Sequence, residues 1–436
     1  MKILNGILLS AAFCAFLPIG LAAQDEAGFE SLFDGKTLNG WTEFHKTAGS
    51  SYFVTNGLIA SPANAANDLV TDRAFSDFIL RMDFKLTPGA NNGVGIRTPF
   101  ETNNLTYVGN EVQILDDDDP QYAHLDPGQY CGSLYRIFAA KRGALNKVGQ
   151  WNHYEISAIG RHIKVVLNGH VIVDGNLNAV SNPEILREHP GMLRDSGHIA
   201  LLGHWSYVEF RNIFIKELPH VEQDNTPPEG FTALFDGTDL SGWKGLVADP
   251  PARAKMSKDE LAAAQAAANQ RMRAHWKAED GTLVFDGHGD NLCTARDFGD
   301  FEMLVDWKIP PKGDSGIYLR GTPQVQIWET NSPGQFAQPD GSGGLWNNHK
   351  NNRHPLVFAD HAVGQWNRFR ILMVGEKVHV FLNGQLVVRD TTLENYWEPD
   401  LPIYPWGQIE LQNHGGPLWF KNIYVRDIPR ALPPKL

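Results

Sequence analysis

The sequence predicts an all-β protein built from two tandem jelly-roll β-sandwiches, with a helical insertion in the second. Three observations support this fold class: a set of motifs that occurs twice in the same order, short stretches in which apolar and polar residues alternate, and Asn-Gly pairs between such stretches. Alternation with a period of two is typical of half-buried strands, and many short strands separated by turns are typical of sandwiches.

The internal repeat divides the chain into two similar halves. Five motifs recur in the same order, so two copies of one domain are expected. The matched pairs are residues 32–35 and 234–237, 77–85 and 300–308, 149–152 and 364–367, 167–169 and 382–384, and 210–213 and 420–423. We therefore expect a first jelly-roll domain over 29–219, a linker over 220–230 and a second jelly-roll domain over 231–429. Pro227-Pro228 and several polar residues favour the linker.

Strands and hairpins can be placed within each copy. Residues 78–86 alternate apolar and polar side chains, and residues 301–309 repeat the pattern. Asn168-Gly169 and Asn383-Gly384 each separate two alternating runs. Because a type I′ turn needs positive φ at two successive residues, Asn-Gly here predicts a tight β-hairpin in each copy.

One segment of the second copy has no counterpart in the first. Residues 255–274 are rich in alanine and other helix formers. Ser257, followed three residues later by Glu260, fits a capping box at a helix start. We expect a helix that decorates the surface, with a lid over a site as the alternative.

Composition and the N-terminus limit the class of protein. The 436 residues are 20% charged and 42% hydrophobic, as in globular proteins, and the formal net charge is −12. This charge argues against nucleic acid as a partner. Residues 1–23 have a basic start, an apolar stretch and small residues at the end, which predicts a signal peptide. We expect export to the periplasm or the exterior without a stable membrane span, a membrane anchor being the alternative.

Three predicted strands of the second copy present a polar face away from the core. In residues 317–320, 324–329 and 408–414, apolar side chains alternate with polar or aromatic ones. The outward set is Tyr318, Arg320, Gln324, Gln326, Trp328, Gln408, Glu410, Gln412 and His414. Amides bind hydroxyl groups, and an indole covers the apolar face of a pyranose. This face is therefore interpreted as a carbohydrate site, with an ordinary solvated sheet face as the alternative.

The first copy keeps only part of this set at the matching positions. Arg, Gln and His persist, and an acid persists as Asp116 beside the Glu329 of the second copy. Apolar residues replace three other members: Leu115 stands for Trp328, Ala200 for Glu410 and Leu202 for Gln412. The second copy is therefore the stronger candidate for chemistry.

In their fixed order these motifs resemble the 3-keto-disaccharide hydrolase family. They are Leu-Phe-Asp-Gly-x-x-Leu-x-Gly-Trp, Gly-Ile-x-x-Arg-Gly at 316–321, Val-Gln-Ile at 325–327, Gly-Gln-Trp-Asn, Leu-Asn-Gly, Ile-x-Leu-x-x-His and Phe-x-Asn-Ile. The resemblance spans both copies and implies a concanavalin-like jelly roll that acts on glycosides oxidised at C3. By matching position, the candidates that it implies are Arg320, Gln326, Glu329 and His414, and in the first copy Arg97, Glu111, Gln113, Asp116 and His204. Gln324 departs from the family, which often has Glu there, as at Glu111.

The chemistry that the resemblance implies is hydrolysis of 3-keto-glycosides or 3-keto-disaccharides by elimination and hydration. A C3 ketone acidifies the C2 hydrogen, so a base at C2, a donor to the C3 oxygen and an acid for the leaving oxygen are needed. We expect His414 to be the base, Arg320 to stabilise the enolate, and Glu329 to donate the proton or bind a metal. The expected substrate-binding residues are Tyr318, Gln324, Gln326, Trp328, Glu410 and Gln412. A divalent metal ion would suit the keto oxygen, although no ligand spacing shows one.

Two other functions remain open from the residues. The same sandwich serves in non-catalytic carbohydrate-binding or adhesion proteins, where two copies would act by avidity. An ordinary glycoside hydrolase needs two carboxyl groups on either side of the scissile bond. Glu410 and Glu329 lie on or near the predicted face and are the pair available for that chemistry.

Overall fold

The two halves of the chain form two β-sandwiches, each made of two antiparallel sheets. A computed structural model describes residues 28–46, 48–101, 104–219, 222–329 and 341–430. The predicted signal peptide, 1–23, lies outside these residues. Within them the predicted fold class, two tandem jelly-roll sandwiches with a helical insertion in the second, is confirmed.

The first domain combines an eight-stranded and a five-stranded sheet. Its strands are β1 Glu30–Ser31, β2 Trp41–Phe44, β3 Phe53–Thr55, β4 Leu58–Ala60, β5 Asp68–Phe75, β6 Phe78–Leu86, β7 Asn91–Thr98, β8 Asn110–Leu115, β9 Trp151–Ile159, β10 His162–Leu167, β11 His170–Asn176, β12 Gly197–Gly203 and β13 Val208–Glu217. Its helices are α1 Leu105–Val108 and α2 Pro183–Glu188, with 3-10 turns at Pro120–Tyr122, Pro127–Gln129, Leu177–Ala179 and Pro190–Leu193. The larger sheet runs β11-β10-β9-β6-β13-β4-β3, with β1 beside β13, and the smaller runs β2-β5-β12-β7-β8.

The second domain repeats this arrangement. Its strands are β14 Thr232–Ala233, β15 Trp243–Gly245, β16 Trp276–Glu279, β17 Thr282–Phe285, β18 Leu292–Thr294, β19 Asp300–Lys308, β20 Asp314–Leu319, β21 Thr322–Trp328, β22 Asn367–Val374, β23 Lys377–Leu382, β24 Gln385–Thr392, β25 Glu410–Leu411 and β26 Leu418–Ile428. Its helices are α3 Pro250–Ala254 and α4 Lys258–His275. The larger sheet runs β16-β17-β26-β19-β22-β23-β24, with β14 beside β26, and the smaller runs β15-β18-β25-β20-β21.

The predicted alternation decides which side chains form the cores. Along β6 the burial pattern alternates strictly between buried and half-buried residues. In the predicted hairpins, Asn168 and Gly169 have φ of 50° and 83°, and Asn383 and Gly384 have φ of 50° and 78°. Two successive positive φ values are those of a type I′ turn, so both hairpin predictions are confirmed.

The insertion is helical and packs tightly against the smaller sheet of the second domain. Ser257 and Glu260 form the predicted capping box at the start of α4. Ala268 and Met272 of this helix are buried. The backbone of Ala268 lies so close to Gly245 of β15 that no side chain would fit there. The helix therefore packs on the edge strand of the sheet and is more than a surface decoration.

A buried charge cluster joins the two domains. Glu302 accepts hydrogen bonds from Arg370 at 2.7 Å and Arg426 at 2.6 Å, and Arg161 of the first domain approaches to 3.6 Å. Burial alone would raise the pKa of Glu302, but the three guanidinium groups hold it well below its usual range. Leu372, Val374, Phe381 and Ile428 of the second domain pack into the core of the first. The larger sheet of the second domain therefore meets the first domain through apolar packing and a paired carboxylate.

Two further features concern the cysteines and the membrane. Cys131 and Cys293 are free and buried. In the described part of the chain, no helix has both the length and the apolar character needed to cross a bilayer.

Candidate functional site

One side of the smaller sheet in the second domain carries a row of polar side chains. Cys293 of β18 pairs with Glu410 of β25, Glu410 pairs with Tyr318 of β20, and Tyr318 pairs with Gln324 of β21. Directly paired residues point to the same side of a sheet. Together with Gln326 and Gln412, one pleat further along, Glu410, Tyr318 and Gln324 form what we term the amide face.

A chain of hydrogen bonds runs along this face to Asp314, which lies beside the predicted base. The Nε2 of Gln324 donates to Oε1 of Gln326 at 2.7 Å, and Nε2 of Gln326 donates to Oδ1 of Asp314 at 2.7 Å. The other oxygen of Asp314 lies 3.2 Å from Nδ1 of His414. Burial raises the pKa of Asp314, while His414 and Gln326 oppose the rise. His414 is thus oriented by a carboxylate, as a general base requires.

Glu410 is a titratable group whose pKa is strongly altered by this environment. Its side chain is buried, with Nδ2 of Asn291 at 3.4 Å from Oε2. Burial raises the pKa of Glu410 to about 7, against the opposing effects of the Arg253 charge and the Asn291 hydrogen bond. A carboxyl group that titrates near neutrality is suited to both donating and accepting a proton.

Tyr318 supplies a hydroxyl donor between Glu410 and the amides. Its Oη accepts a hydrogen bond from Nε2 of Gln412 at 3.3 Å and donates to no described residue. Burial raises the pKa of Tyr318 to about 12, so the phenol keeps its proton at neutral pH. Oε1 of Gln324 and Oε1 of Gln412 are buried without a partner among the described residues. The Tyr318 hydroxyl as donor and the two glutamine oxygens as acceptors are thus available to a ligand.

Aromatic rings close one end of the face. Trp328 donates through Nε1 to the carbonyl of Gly341 at 2.9 Å and packs edge-on against Trp346, with ring centroids 4.7 Å apart. The guanidinium of Arg353 lies 3.5 Å from the centroid of Trp346. Trp346 is only half-buried.

The prediction that Arg320 belongs to this face is wrong. Arg320 has φ of 60°, which breaks the alternation directly after β20. Its guanidinium is buried at the end of the sandwich, where it donates to Asp300 at 2.6 Å and to the carbonyls of Gly299 and Gly375. Arg97 of the first domain has φ of 51° and bonds in the same way to Asp77. Both arginines hold the two sheets of their sandwich together.

The prediction that Glu329 donates a proton to the substrate is also not supported by its position. Glu329 follows the last residue of β21, and its carboxylate accepts a hydrogen bond from the backbone N–H of Lys312 in the turn before β20. Asp116 of the first domain accepts the equivalent bond from Gly89 at 2.9 Å. These acids fasten a turn at the edge of the sheet.

The corresponding face of the first domain is polar at one end and filled at the other. At the polar end, Nε2 of His204 lies 3.8 Å from Oε1 of Glu111, and Lys46 pairs with Asp68 at 2.7 Å. Gln113 uses its Oε1 to accept from the backbone of Ile114. At the other end is an apolar plug, in which α1 covers the sheet. The plug consists of Val70, Leu105, Val108, Ala200 and Leu202.

Three contributors to the amide face were missed from the sequence. Asp314 has the same parity as Tyr318 in β20, so alternation carried the signal for it. Asn291 precedes β18 in a segment without a recognised pattern, and Trp346 comes from a loop. Of the predicted residues, the structure brings together Tyr318, Gln324, Gln326, Trp328, Glu410, Gln412 and His414.

Among the described residues, no group of three or more His, Cys, Asp or Glu side chains is arranged to hold a metal ion.

Comparison with known proteins identifies the family. The sequence family described as the 3-keto-alpha-glucoside-1,2-lyase-like domain matches this chain twice, at residues 28–216 and 230–426. A 3-keto-disaccharide hydrolase of Bacteroides thetaiotaomicron is 22% identical over 272 residues, covering 49% of this chain and 85% of that protein. A proposed glycosyl hydrolase from Parabacteroides distasonis is 27% identical with a TM-score of 0.39, covering 44% of this chain and 99% of its own. A carbohydrate-binding module from Bacillus subtilis is 14% identical with a TM-score of 0.27, covering 41% and 96%. The two family matches span most of the chain, which therefore belongs to the 3-keto-alpha-glucoside-1,2-lyase-like domain family.

Proposed function

We propose that this protein cleaves 3-keto-glycosides at the amide face of the second domain, by elimination followed by hydration. The observation that carries the proposal is Glu410, a buried carboxyl group whose pKa is raised to about 7 beside a hydroxyl donor and a row of amides. Family membership and the name of the Bacteroides relative supply the substrate class. Sequence reasoning treated Glu410 as a substrate-binding residue, and here it takes the acid role first given to Glu329.

In the first step, His414 removes the C2 proton of the 3-keto sugar. Asp314, 3.2 Å from Nδ1, orients the ring and stabilises the imidazolium that forms. The electron pair of the C2–H bond moves onto the ketone to give an enolate, and the Tyr318 hydroxyl donates to that oxygen. This neutral donor replaces the Arg320 of the sequence-based prediction.

In the second step, the enolate expels the aglycone. The C1–O bond breaks with its electron pair going to the leaving oxygen, and Glu410 protonates that oxygen. The sugar is left with a C1=C2 double bond conjugated to the ketone. A protonated, buried carboxyl suits this role because the proton is released only as negative charge develops on the leaving group.

Hydration then reverses the proton movements. The Glu410 carboxylate takes a proton from water as the water oxygen bonds to C1, and the His414 imidazolium returns a proton to C2. The product is the free 3-keto sugar, and both side chains recover their starting protonation states. The net reaction adds one water across the glycosidic bond.

The test uses the purified protein and a matched pair of substrates, a nitrophenyl glucoside and its 3-keto form. We expect nitrophenol to be released only from the keto form. In D2O, the early 3-keto product should carry deuterium at C2, after correction for exchange of that product incubated without protein. Release from the parent glucoside would instead indicate an ordinary glycoside hydrolase. Binding of either compound without release would indicate a carbohydrate-binding module.

We also propose that the protein is exported, because residues 1–23 have the pattern of a signal peptide. The N-terminal sequence of the protein recovered from its native cells tests this: cleavage near residue 23 is expected, and an intact Met1 would contradict it.

A further inference from the structure

The helical insertion forms one wall of a cavity that sequence reasoning did not foresee. The edge strand β15, helices α3 and α4, and the segment 398–408 enclose about 1060 Å³. This volume is large enough for a sugar residue or a small aglycone. The first domain lacks the insertion and has no equivalent wall.

The charges that line this cavity are mainly positive, whereas the net charge of the chain is negative. Its lining includes five cationic side chains; Arg320 is paired with Asp300, and the other four are not ion-paired with a described residue. These are Lys244, Arg253, Lys255 and Lys258. Two acids line it as well, Asp297 and Glu398, and the Glu398 carboxylate already accepts from the Tyr404 hydroxyl at 2.7 Å. An excess of positive charge in one cavity of a protein with net charge −12 attracts anions.

Stabilisation of the fold does not account for Lys258. Lys258 is the first residue of α4, where the positive end of the helix dipole disfavours a cation. Arg253 donates to the carbonyls of Val247 at 3.1 Å and Ala248 at 2.5 Å, bonds that fix its position without neutralising its charge. Neither side chain is paired with a carboxylate among the described residues, as in a site built for an anion.

The cavity also contains a platform for a ring. Trp406 is 56% exposed and lies over Gly299, where a methyl group would approach the indole to 2.9 Å. One indole face is therefore seated on the backbone. An exposed indole held in place in this way is suited to stack on the apolar face of a sugar.

The cavity meets the amide face at Gly321. A methyl group built on Gly321 would lie 3.5 Å from Oε1 of Glu410 and 3.6 Å from Nη2 of Arg253. Glu410 and Arg253 thus border the same point. A ligand that spans this point would place one part beside Glu410 and another part in the cavity.

We propose that the cavity is the subsite for the leaving-group sugar and that it selects an acidic one, bearing a carboxylate or a sulfate. This inference rests on the proposed function, because Glu410 protonates the leaving oxygen there. Arg253, Lys255 and Lys258 recognise the anionic group, and Trp406 carries the ring.

The experiment measures binding without chemistry, so that it stands apart from the test of cleavage. Three unoxidised probes are titrated calorimetrically at low salt: a glucosyl-glucose disaccharide, the same disaccharide with glucuronic acid as its second unit, and the same disaccharide with a 6-sulfate on that unit. We expect the charged probes to bind about tenfold or more tightly than the neutral one, with the preference shrinking in 0.5 M salt. A preference for only one charged probe identifies the anionic group.

Charge reversal locates the effect. The variant Lys255→Glu/Lys258→Glu should lose the preference for the charged probes, whereas the matched control Lys147→Glu/Lys277→Glu, at exposed positions outside the cavity, should keep it. All four lysines are exposed, and circular dichroism checks that each variant folds. Equal binding of the three probes, no binding of the charged ones, or equal behaviour of the two variants would overturn the subsite. A charge preference without cleavage of any 3-keto substrate would leave the subsite standing and remove the proposed reaction.

Discussion

The smaller sheets of the two domains share one topology and differ in what lies on their open sides. Strand pairing matches Asp68 to Asn291 and Ala200 to Glu410, and it matches Glu111 to Gln324 and Asn91 to Asp314. At all four positions one domain has a carboxylate, and the other has an amide or a methyl group.

The exchange of carboxylates is accompanied by a change in access. In the first domain, Leu105 and Val108 of α1 cover one end of this face and pack on Ala200 and Leu202. In the second domain the same positions carry Glu410 and Gln412, and the insertion builds a cavity beside them. The comparison shows that the repeat provides two frameworks with the same strand order. In the first, apolar residues cover the open side of the smaller sheet, and in the second, the insertion adds a cavity beside it.

The change with the largest expected effect is Glu410→Gln in the second domain. An amide of the same shape cannot transfer a proton, so we expect release of glucose from a 3-keto glucosyl-glucose disaccharide, whose leaving oxygen departs poorly without a proton, to fall about a thousandfold. A change of the same kind on the face of the first domain, Glu111→Gln, should alter the rate by less than about twofold because Glu111 belongs to the other domain. If Glu111→Gln abolished release and Glu410→Gln did not, the assignment of the two domains would be reversed.

The pH dependence of stability sharpens the same contrast. The folded pKa of Glu410, about 7, exceeds its ordinary value of 4.5, so the folded protein binds this proton more tightly than the unfolded chain does. Between pH 4.5 and 7 the unfolded chain loses the proton first, and the free energy of unfolding therefore decreases as pH rises. The shift corresponds to about 3 kcal/mol by pH 8.

This prediction is measured as a difference between proteins. Urea unfolding of the parent and of Glu410→Gln at pH 4 and pH 8 cancels the contributions of other groups, including Asp68, whose burial raises its pKa to about 6. Tryptophan fluorescence reports mainly on the second domain, which holds most of the twelve tryptophans. We expect Glu410→Gln to gain stability over the parent as pH rises. A constant difference across this range would mean that Glu410 titrates normally.

The two matched histidines provide the next comparison. His414→Ala should slow cleavage of the 3-keto glucoside about a hundredfold, because it removes the base at C2. His204→Ala removes a histidine that faces Glu111 at 3.8 Å in the first domain and should leave the rate nearly unchanged. In D2O, His414→Ala should also slow the appearance of deuterium at C2. Slow product release with normal C2 exchange would assign His414 to a later step.

The sequence was sufficient for the fold because the signals for it are local. Alternation in β6 and β19 and the two Asn-Gly turns depend on near neighbours in the chain, and the repeat fixed the order of the elements. These signals are typical of sandwich folds and survive without any knowledge of long-range contacts.

The site was only partly predictable, because some of its residues depart from the regular strand conformation on which the alternation rule depends. Alternation placed Tyr318 and Gln326 correctly, but it fails where a residue adopts a left-handed conformation, as Arg320 does at φ of 60°. It also fails beyond a strand end, where Glu329 turns back to the Lys312 backbone. Trp346 enters from a loop whose approach to Trp328 no periodic pattern reveals.

The smallest effect concerns the apolar plug of the first domain. Leu105 is fully buried on the sheet beneath α1, so Leu105→Ala should lower the free energy of unfolding by about 2 kcal/mol, the lower end for a buried leucine because the plug is a small cluster. Cleavage of the 3-keto glucoside should persist, since the plug does not touch the amide face. Urea unfolding and the nitrophenol assay on the same preparation measure both quantities. A loss of cleavage without a loss of stability would mean that the filled face takes part in the reaction, and the contrast between a structural and a catalytic copy would then fail.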